Sequence, residues 1–307
     1  MAAPSPALRF NTTFDPQTGR PAAVAPAVVR VTAPNAGPFT FKGTNSLLVG
    51  NASLAVVDPG PDDSAHLEAL LAAIGGRPVE AIILTHTHRD HSALVPRLKA
   101  ATGAPIWFGG RHRLSRDSRL FEFNAVGRES DWALQPDRVL RDGEQLRVGG
   151  VALEVIATPG HCANHLAFGL VGTPWLLTGD HIMGWNSTLV SVPDGSMADY
   201  LQSLERVIGL DYAHYVPAHG GVIEDGPDYA PALLAHREER NRQVIAAVEG
   251  GARRIDDLLA PIYPQLPLAL RGAALMTLKA HVEYLADRGL IGATHGIFGT
   301  SIFPSRT

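Results

Sequence analysis

A single cysteine, Cys162, in a chain of 307 residues excludes an internal disulfide and any thiolate-rich metal site. Any metal must therefore be held by histidine and carboxylate. No run of about 18 apolar residues occurs, so no membrane-spanning helix is expected. The start of the chain is rich in Ala and Pro but lacks a basic segment followed by an uninterrupted apolar stretch. It does not read as a secretory signal, and a cytoplasmic location is expected. The net charge of −4 provides no general electrostatic footprint for polyanions. Also missing are a Gly-x-Ser-x-Gly elbow, a phosphate-binding P-loop and a dinucleotide fingerprint, each of which would offer a different chemistry. Hydrophobic residues make up 45% and charged residues 18%, a globular balance over a length that suits one large domain and a smaller one.

The stretch Thr85-His86-Thr87-His88-Arg89-Asp90-His91 concentrates three histidines and an aspartate. It follows the apolar run Glu80 to Leu84, which reads as a buried strand, and precedes Ser92 to Thr102, which reads as a helix. Alternate residues of an extended segment point the same way, so His86 and His88 can reach one ion together. Asp90 and His91 follow a turn and point elsewhere, which suits a second ion.

Residues 1–26 carry five prolines and no apolar period. They are expected to form an irregular arm of little functional consequence. Val28 to Val31, Ser46 to Val49 and Ser53 to Val57 read as an antiparallel meander. The last ends at Asp58-Pro59-Gly60, where Asp58 could orient a metal-binding histidine or simply form the turn. Asp63 to Ile74 reads as a helix, Val79 to Leu84 and Pro105 to Phe108 as strands, a layered α/β pattern. Four arginines between Arg111 and Arg119 suggest either a solvated face or contacts to phosphate or carboxylate. Val151 to Ala157 delivers His161, Trp175 to Leu177 delivers Asp180, and His214 to Val216 delivers His219, each at a strand exit. Met197 to Ile208 is an amphipathic helix. From Gly226 onward, helices are predicted at Asp228 to Glu249, Arg254 to Tyr263 and Leu268 to Asp287, then a hairpin within Gly289 to Phe303. Helices ending in a small hairpin suggest a winged-helix-like module, so the expected division is 1–26, 27–225 and 226–307.

Seven candidate ligands thus stand in order: His86, His88, Asp90, His91, His161, Asp180 and His219. They suffice for two divalent ions. The economical partition gives His86, His88 and His161 to one ion and Asp90, His91 and His219 to the other, with Asp180 bridging. Asp90 and Asp180 are the catalytic candidates because they would hold the second ion beside a bridging hydroxide. An all-N/O set points first to Zn2+ and also accepts Mn2+ or Fe.

The motif His86-Thr87-His88-Arg89-Asp90-His91, followed by His161, Asp180 and His219, resembles that of the metallo-β-lactamase-fold hydrolases. The resemblance spans residues 45–220 and implies an αβ/βα sandwich with metals on one edge of its two sheets. True β-lactamases of this superfamily usually carry Cys where Asp180 stands, which speaks against antibiotic hydrolysis. The Gly179 to Met183 segment likewise departs from the glyoxalase II pattern. A narrower resemblance covers nearly the whole chain. Gly43-Thr44-Asn45, Val57 to Gly60, Thr158 to His161 and the segment His236 to Val244 are similar to the β-lactamase-like protein 2 group. That resemblance implies a C-terminal winged-helix-like extension and a single-strand RNA endonuclease activity. Residues 226–307 contain nine Lys/Arg and eight Asp/Glu, less basic than a nucleic-acid-binding module normally is.

Near the ligands, Cys162 reads as a small buried group, and Met183 and Trp185 as cleft wall or core. His165 and His181 are substrate-contact candidates or satisfied core histidines. On the helix from 228, His236, Arg240 and Gln243 share one face and are candidates for substrate contact. The leading expectation is a binuclear hydrolase acting on single-stranded RNA or, alternatively, on a thioester, lactone or other small ester. The alternative from another class is a binding or regulatory protein stabilised by its metals. Neither partner nor oligomeric state is fixed by these residues.

Overall fold

The computed structural model describes residues 8–120, 122–124, 126–296 and 299–305. Residues 1–7 of the expected arm and residues 297, 298, 306 and 307 of the expected C-terminal module lie outside them. Seven strands form the first sheet in sequence order: β1 (Pro21–Ala25), β2 (Val28–Thr32), β3 (Asn45–Gly50), β4 (Leu54–Val57), β5 (Val79–Ile83), β6 (Ile106–Phe108) and β7 (Arg138–Val139). The β1 to β4 portion is antiparallel and the β4 to β7 portion parallel. The second sheet runs β12-β11-β10-β9-β8, built from β8 (Gln145–Val148), β9 (Val151–Ala157), β10 (Leu166–Leu170), β11 (Trp175–Gly179) and β12 (His214–Pro217). Its β11–β12 pair is parallel and the rest antiparallel.

Strand β1 corrects the expectation of an irregular arm up to residue 26. Its Ala-rich sequence has little strand propensity, and pairing with the edge of β2 makes the difference, with Pro21 at the first position, where a missing N–H is tolerated.

The two sheets face each other across a core that includes Leu47, Val57, Ile83, Val155, Phe168 and Leu177. Helices α1 (Ser64–Ile74), α2 (Arg89–Ser92) and α3 (Val95–Thr102) follow strands of the first sheet. Leu70, Ile74, Leu94 and Leu98 pack on its outer face. The outer face of the second sheet is covered by α4 (Met197–Ile208) and the first part of α5 (Gly226–Glu249), through Leu201, Leu204, Ala230 and Leu233. The layers are therefore αβ/βα. Asp63 and Ser196 cap α1 and α4 by accepting from the backbone N–H three residues on, which fixes where those helices begin.

The helix expected from Ser92 begins earlier and is divided. The Leu94 N–H turns away to donate to the Gly60 carbonyl at 3.0 Å, separating α2 from α3. Asp90 and His91 consequently ride on a helical turn rather than on an irregular loop.

Beyond residue 249 come a 3-10 turn at Ile255–Leu258, α6 (Leu259–Ile262), a second such turn at Leu268–Leu270, α7 (Arg271–Asp287) and the hairpin β13 (Ile291–Gly296) with β14 (Gly299–Pro304). Val244 and Val248 of α5 pack with Leu258, Leu278, Val282 and Ile302 in a core of their own. Helix α5 thus enters two cores, one at each end. No helix among the described residues is long and apolar enough to cross a membrane.

Candidate metal centre

The seven sequence-predicted ligands converge where β5, β9, β11 and β12 end. His86 and His88 lie in the turn after β5, His161 follows β9, Asp180 ends the β11 exit and His219 follows β12. Hydrogen bonds between the exits fix their spacing: Leu166 N–H donates to the Thr85 carbonyl at 2.7 Å and Ala218 N–H to the Gly179 carbonyl at 3.0 Å. Gly179 adopts φ +54°, and a Cβ there would press on both His165 and Thr85. Glycine is required for this close approach. Gly160, at φ +138°, lies so near the Tyr200 backbone that any side chain would collide with it.

Three groups of donor atoms lie within 4.8 Å of one another: His86, His88 and His161; His86, His91 and Asp180; and Asp90, His91 and His219. Asp180 Oδ2 is 3.6 Å from both His161 Nε2 and His91 Nε2, while its Oδ1 is 3.4 Å from His219 Nε2. It therefore touches both histidine sets. Asp90 Oδ2 lies 3.3 Å from His91 Nε2 and 3.2 Å from His219 Nε2.

Each imidazole has its outward nitrogen committed. His88 Nε2 donates to Asp194 at 2.9 Å, His91 Nδ1 to Asp58 at 3.0 Å and His161 Nδ1 to the Leu189 carbonyl at 2.7 Å. His219 Nδ1 donates to the Gly43 carbonyl at 3.3 Å. Thr85 Oγ1 donates to Asp58 at 2.7 Å and so accepts from His86 Nδ1 at 2.9 Å. The inward nitrogens of the neutral rings then carry lone pairs that face each other. His88 Nδ1 is 3.1 Å from His86 Nε2 and 2.8 Å from His161 Nε2. His91 Nε2, His219 Nε2 and Asp180 Oδ1 are buried without a hydrogen-bond partner. Nitrogen and carboxylate donors that converge here, with carboxylates favouring positive charge among them, form a set that divalent cations fit.

The electrostatics differ from ring to ring: burial opposes charge at His88, but Asp194 raises it. Burial, with the neighbouring His91 and His88, holds His86 well below the ordinary imidazole range. Burial and His88 bring His161 down to about 4. At the other set burial opposes charge but carboxylates win: Asp180 and Asp90 lift His219 to about 9, and with Asp58 they raise His91 well above its usual value.

Asp58 adopts φ +50°, a left-handed conformation uncommon outside glycine. The turn directs Oδ1 onto Thr85 N–H at 2.8 Å and leaves Oδ2 for the Thr85 hydroxyl and His91. One carboxylate thus orients two rings, which reconciles the turn and ligand-orienting readings of Asp58.

Sequence reasoning missed Asp194 and His112. Asp194 is buried, accepts from His88 and has Oδ1 2.8 Å from His112 Nε2. Asn164 Nδ2 donates to Thr87 Oγ1 at 2.9 Å, and that hydroxyl lies 2.9 Å from His112 Nδ1. Asp194 stands in an ordinary-looking Pro-Asp-Gly turn, so the sequence holds no signal that separates it from any other turn aspartate.

Of the substrate-contact candidates, His165 and His181 do not reach the cleft. His165 is buried; its Nε2 accepts the Asp180 backbone N–H at 3.0 Å and its Nδ1 bonds the Thr158 hydroxyl at 2.8 Å. It positions the Asp180 backbone instead. His181 is buried against Tyr200, ring centres 5.0 Å apart, and burial beside His161 holds it neutral at about 3. Gln243 lies one turn beyond the cleft and lines a separate groove with Pro261 and Ile262. His236 and Arg240 do line the cleft. So does Phe10, from the segment expected to carry little function.

That cleft has a volume of about 690 Å³, with His88, Asp90, His161 and Asp180 on its floor. Its walls include Phe39, Met183 and Trp185 from the sandwich and Tyr263, Leu266 and Met276 from the segment after α5. The arginine run is otherwise engaged. Arg116 pairs with Glu122 and Glu283, Arg119 with Glu283 at 3.1 Å, and Lys279 with Glu122 at 2.6 Å, tying this loop to α7.

The chain is similar over most of its length to known proteins. It is 28% identical to a beta-lactamase-like protein 2 homolog of Caenorhabditis elegans, covering 88% of this chain and 87% of the relative. It is 26% identical to an atrochrysone carboxyl ACP thioesterase of Aspergillus fumigatus, covering 80% and 76%. Among solved structures, a metallo-beta-lactamase family protein from Thermus thermophilus superposes with a TM-score of 0.75 at 28% identity, covering 92% of this chain and all of the other. With the family model matching residues 39–219, a span that includes all seven candidate ligands, the chain belongs to the metallo-beta-lactamase superfamily of hydrolases.

Proposed function

We propose that this enzyme is a binuclear metal-dependent hydrolase of esters or thioesters whose acyl part is bulky and apolar. The observation that carries this reading is that Phe39, Met183, Trp185, Leu266 and Met276 line the same cleft as Asp90, His161 and Asp180. A volume of about 690 Å³ is in the range that encloses most of a small organic ligand. The thioesterase named among its relatives supports the same substrate class.

His86, His88 and His161 would hold one ion, Asp90, His91 and His219 the other, and Asp180 both; Zn2+ is the first expectation, with Mn2+ or Fe compatible with the donors. Divalent ions held there would lower the pKa of water to about 7 and polarise a carbonyl oxygen. The chain's own contribution is orientation: Asp58, Thr85 and Asp194 fix the ring tautomers, and His165 fixes the Asp180 backbone. A bulky acyl part seated against the apolar wall would displace water, so that the carbonyl would meet the donors in a lower-dielectric setting.

Residues 27–225 carry every ligand and are read as the catalytic domain. Residues 226–307 are read as a winged-helix-like module, supported by the order α7, β13, β14, and this module supplies part of the cleft wall. Cleavage of single-stranded RNA has less behind it, because Arg116 and Arg119 are neutralised by Glu122 and Glu283 rather than open to phosphates.

The test is hydrolysis of a matched panel by metal-loaded protein: an aliphatic acyl thioester, its oxygen ester and single-stranded RNA. Thioester or ester turnover that rises with acyl length supports the proposal. RNA cleavage without ester cleavage, or fewer than two ions per chain at full activity, overturns it.

A further inference from the structure

The cleft is polar beyond the candidate metal floor: Glu129, Asn186, Ser187 and Thr277 line it, and so does a cationic group. That group is Arg240, accompanied by His236 on α5. Arg240 is half-buried, and its guanidinium stacks on the Tyr263 ring at 4.2 Å. Its Nη1 donates to Gln243 Oε1 at 2.5 Å and to the Ile262 carbonyl at 3.1 Å. Both acceptors are neutral. No ion pair involving Arg240 is found among the described residues, in contrast to Arg116, Arg119 and Arg242, which all have carboxylate partners. The neighbouring Glu239 is engaged on the exposed side by Arg242 and Gln243.

A guanidinium is always charged, and burying it without a counter-ion is costly. Stacking and two neutral acceptors hold the plane still, while its Nε and Nη2 make no hydrogen bond among the described residues. Such a fork is suited to a planar or tetrahedral anion, which it can meet with two parallel N–H donors. His236 stands beside it, its ring edge-on to Phe10 at 6.2 Å, and adds a polar edge without a competing negative charge.

We propose that Arg240 is the anion-recognising end of the cleft, so that the substrate carries an anionic oxygen group, carboxylate or phosphate, remote from the ester that is cleaved. The proposal rests on the ester or thioester reading for its second readout and stands without it for its first. The substrate would then be an apolar-bodied acyl compound held at both ends, its ester on the metal floor and its anionic group on the guanidinium. Phe39, Leu266 and Met276 line the same cleft and would meet the apolar body.

The first readout is binding to full-length, metal-loaded protein, followed through the fluorescence of Trp185 and its neighbours in the wild-type chain and in Arg240→Met and Arg240→Lys. The probes are decanoate, decyl phosphate and decanol. Wild-type protein should prefer one or both anions over decanol by roughly 10–100-fold, the yield of a charge-assisted hydrogen-bonded pair. Arg240→Met should erase that preference while leaving decanol affinity and the thermal midpoint near wild type, and Arg240→Lys should keep part of it. An anion preference that survives Arg240→Met would place the anion on the metals and overturn the proposal, as would equal affinity for all three probes. Comparing decanoate with decyl phosphate identifies which anion is favoured. The second readout compares p-nitrophenyl decanoate with mono-p-nitrophenyl sebacate. The proposal expects a kcat/KM advantage for the sebacate that Arg240→Met removes. If neither ester is cleaved, the ester reading fails while the binding result still decides the anion site.

Discussion

His88 donates its Nε2 proton to Asp194, 106 residues further along the chain, at 2.9 Å, and so presents Nδ1 to the metal floor. Asp194 is anchored in turn beside His112 Nε2 at 2.8 Å. Losing such an orienting carboxylate typically weakens metal affinity about 10–100-fold. Asp194→Asn should therefore lose metal more readily to a competing chelator, by about that factor. Retention equal to wild type would mean that His88 is oriented by packing alone.

Asp180→Ala should cost more activity than Asp58→Ala. Asp180 approaches His161 on one side and His91 and His219 on the other, at 3.4–3.6 Å, so its removal strips both sets at once. Asp58 touches only the outward side of His91 and the Thr85 hydroxyl. Steady-state kinetics on metal-replete protein, with metal content measured for each variant, will separate the two. Equal losses would contradict these roles.

Salt should separate the substrate classes. Recognition through six or more phosphates would cost about 10³-fold or more between 50 and 200 mM salt. Hydrolysis of a neutral acyl ester should hardly change over the same range. A steep salt dependence for the ester would point to electrostatic capture that the apolar wall does not provide.

The pairing of loop and α7 through Glu122 should show in acid stability. Burial opposes the charge on Glu122, but hydrogen bonds from Arg116, Lys279 and the Arg119 backbone hold its pKa far below the usual 4.5. A carboxylate lowered in the folded state stabilises above its unfolded pKa, and that contribution fades as pH falls toward the folded value. Glu122→Gln should accordingly be less stable to unfolding than wild type at pH 7 and at pH 5, by about 1–3 kcal/mol. The gap should narrow below pH 4.5, where wild type begins to lose the same contribution. A gap that widens with acidification would refute this assignment.

The ligand positions were legible in the sequence because each follows a short apolar strand, and a strand exit is a place where backbone geometry leaves few alternatives. His86 and His88 show this most clearly. Orientation was legible only at Asp58, the carboxylate that closes a strand beside His91. Asp194 and the Leu189 and Gly43 carbonyls become partners of His88, His161 and His219 only through pairing of distant segments, which local pattern cannot encode. Helical periodicity put His236, Arg240 and Gln243 on one face, yet a face has length as well as direction. Tyr263 closes the cleft at Arg240, and Gln243 falls beyond it. The arginine run, open in the sequence to a solvated face or to contacts with an anion, has two of its four charges answered within the chain by Glu122 and Glu283.

Helix α5 contributes Ala230 and Leu233 to the layer over the second sheet and Val244 and Val248 to the C-terminal core. Between these anchors, His236 and Arg240 face the cleft. A single rod of 24 residues is therefore a strut shared by two masses, and the cleft is the space it spans. The reach between floor and guanidinium is set by a nearly incompressible element rather than by a loop. Shortening α5 by one turn would therefore shift Arg240 relative to both anchors and force the two cores to repack in the same step.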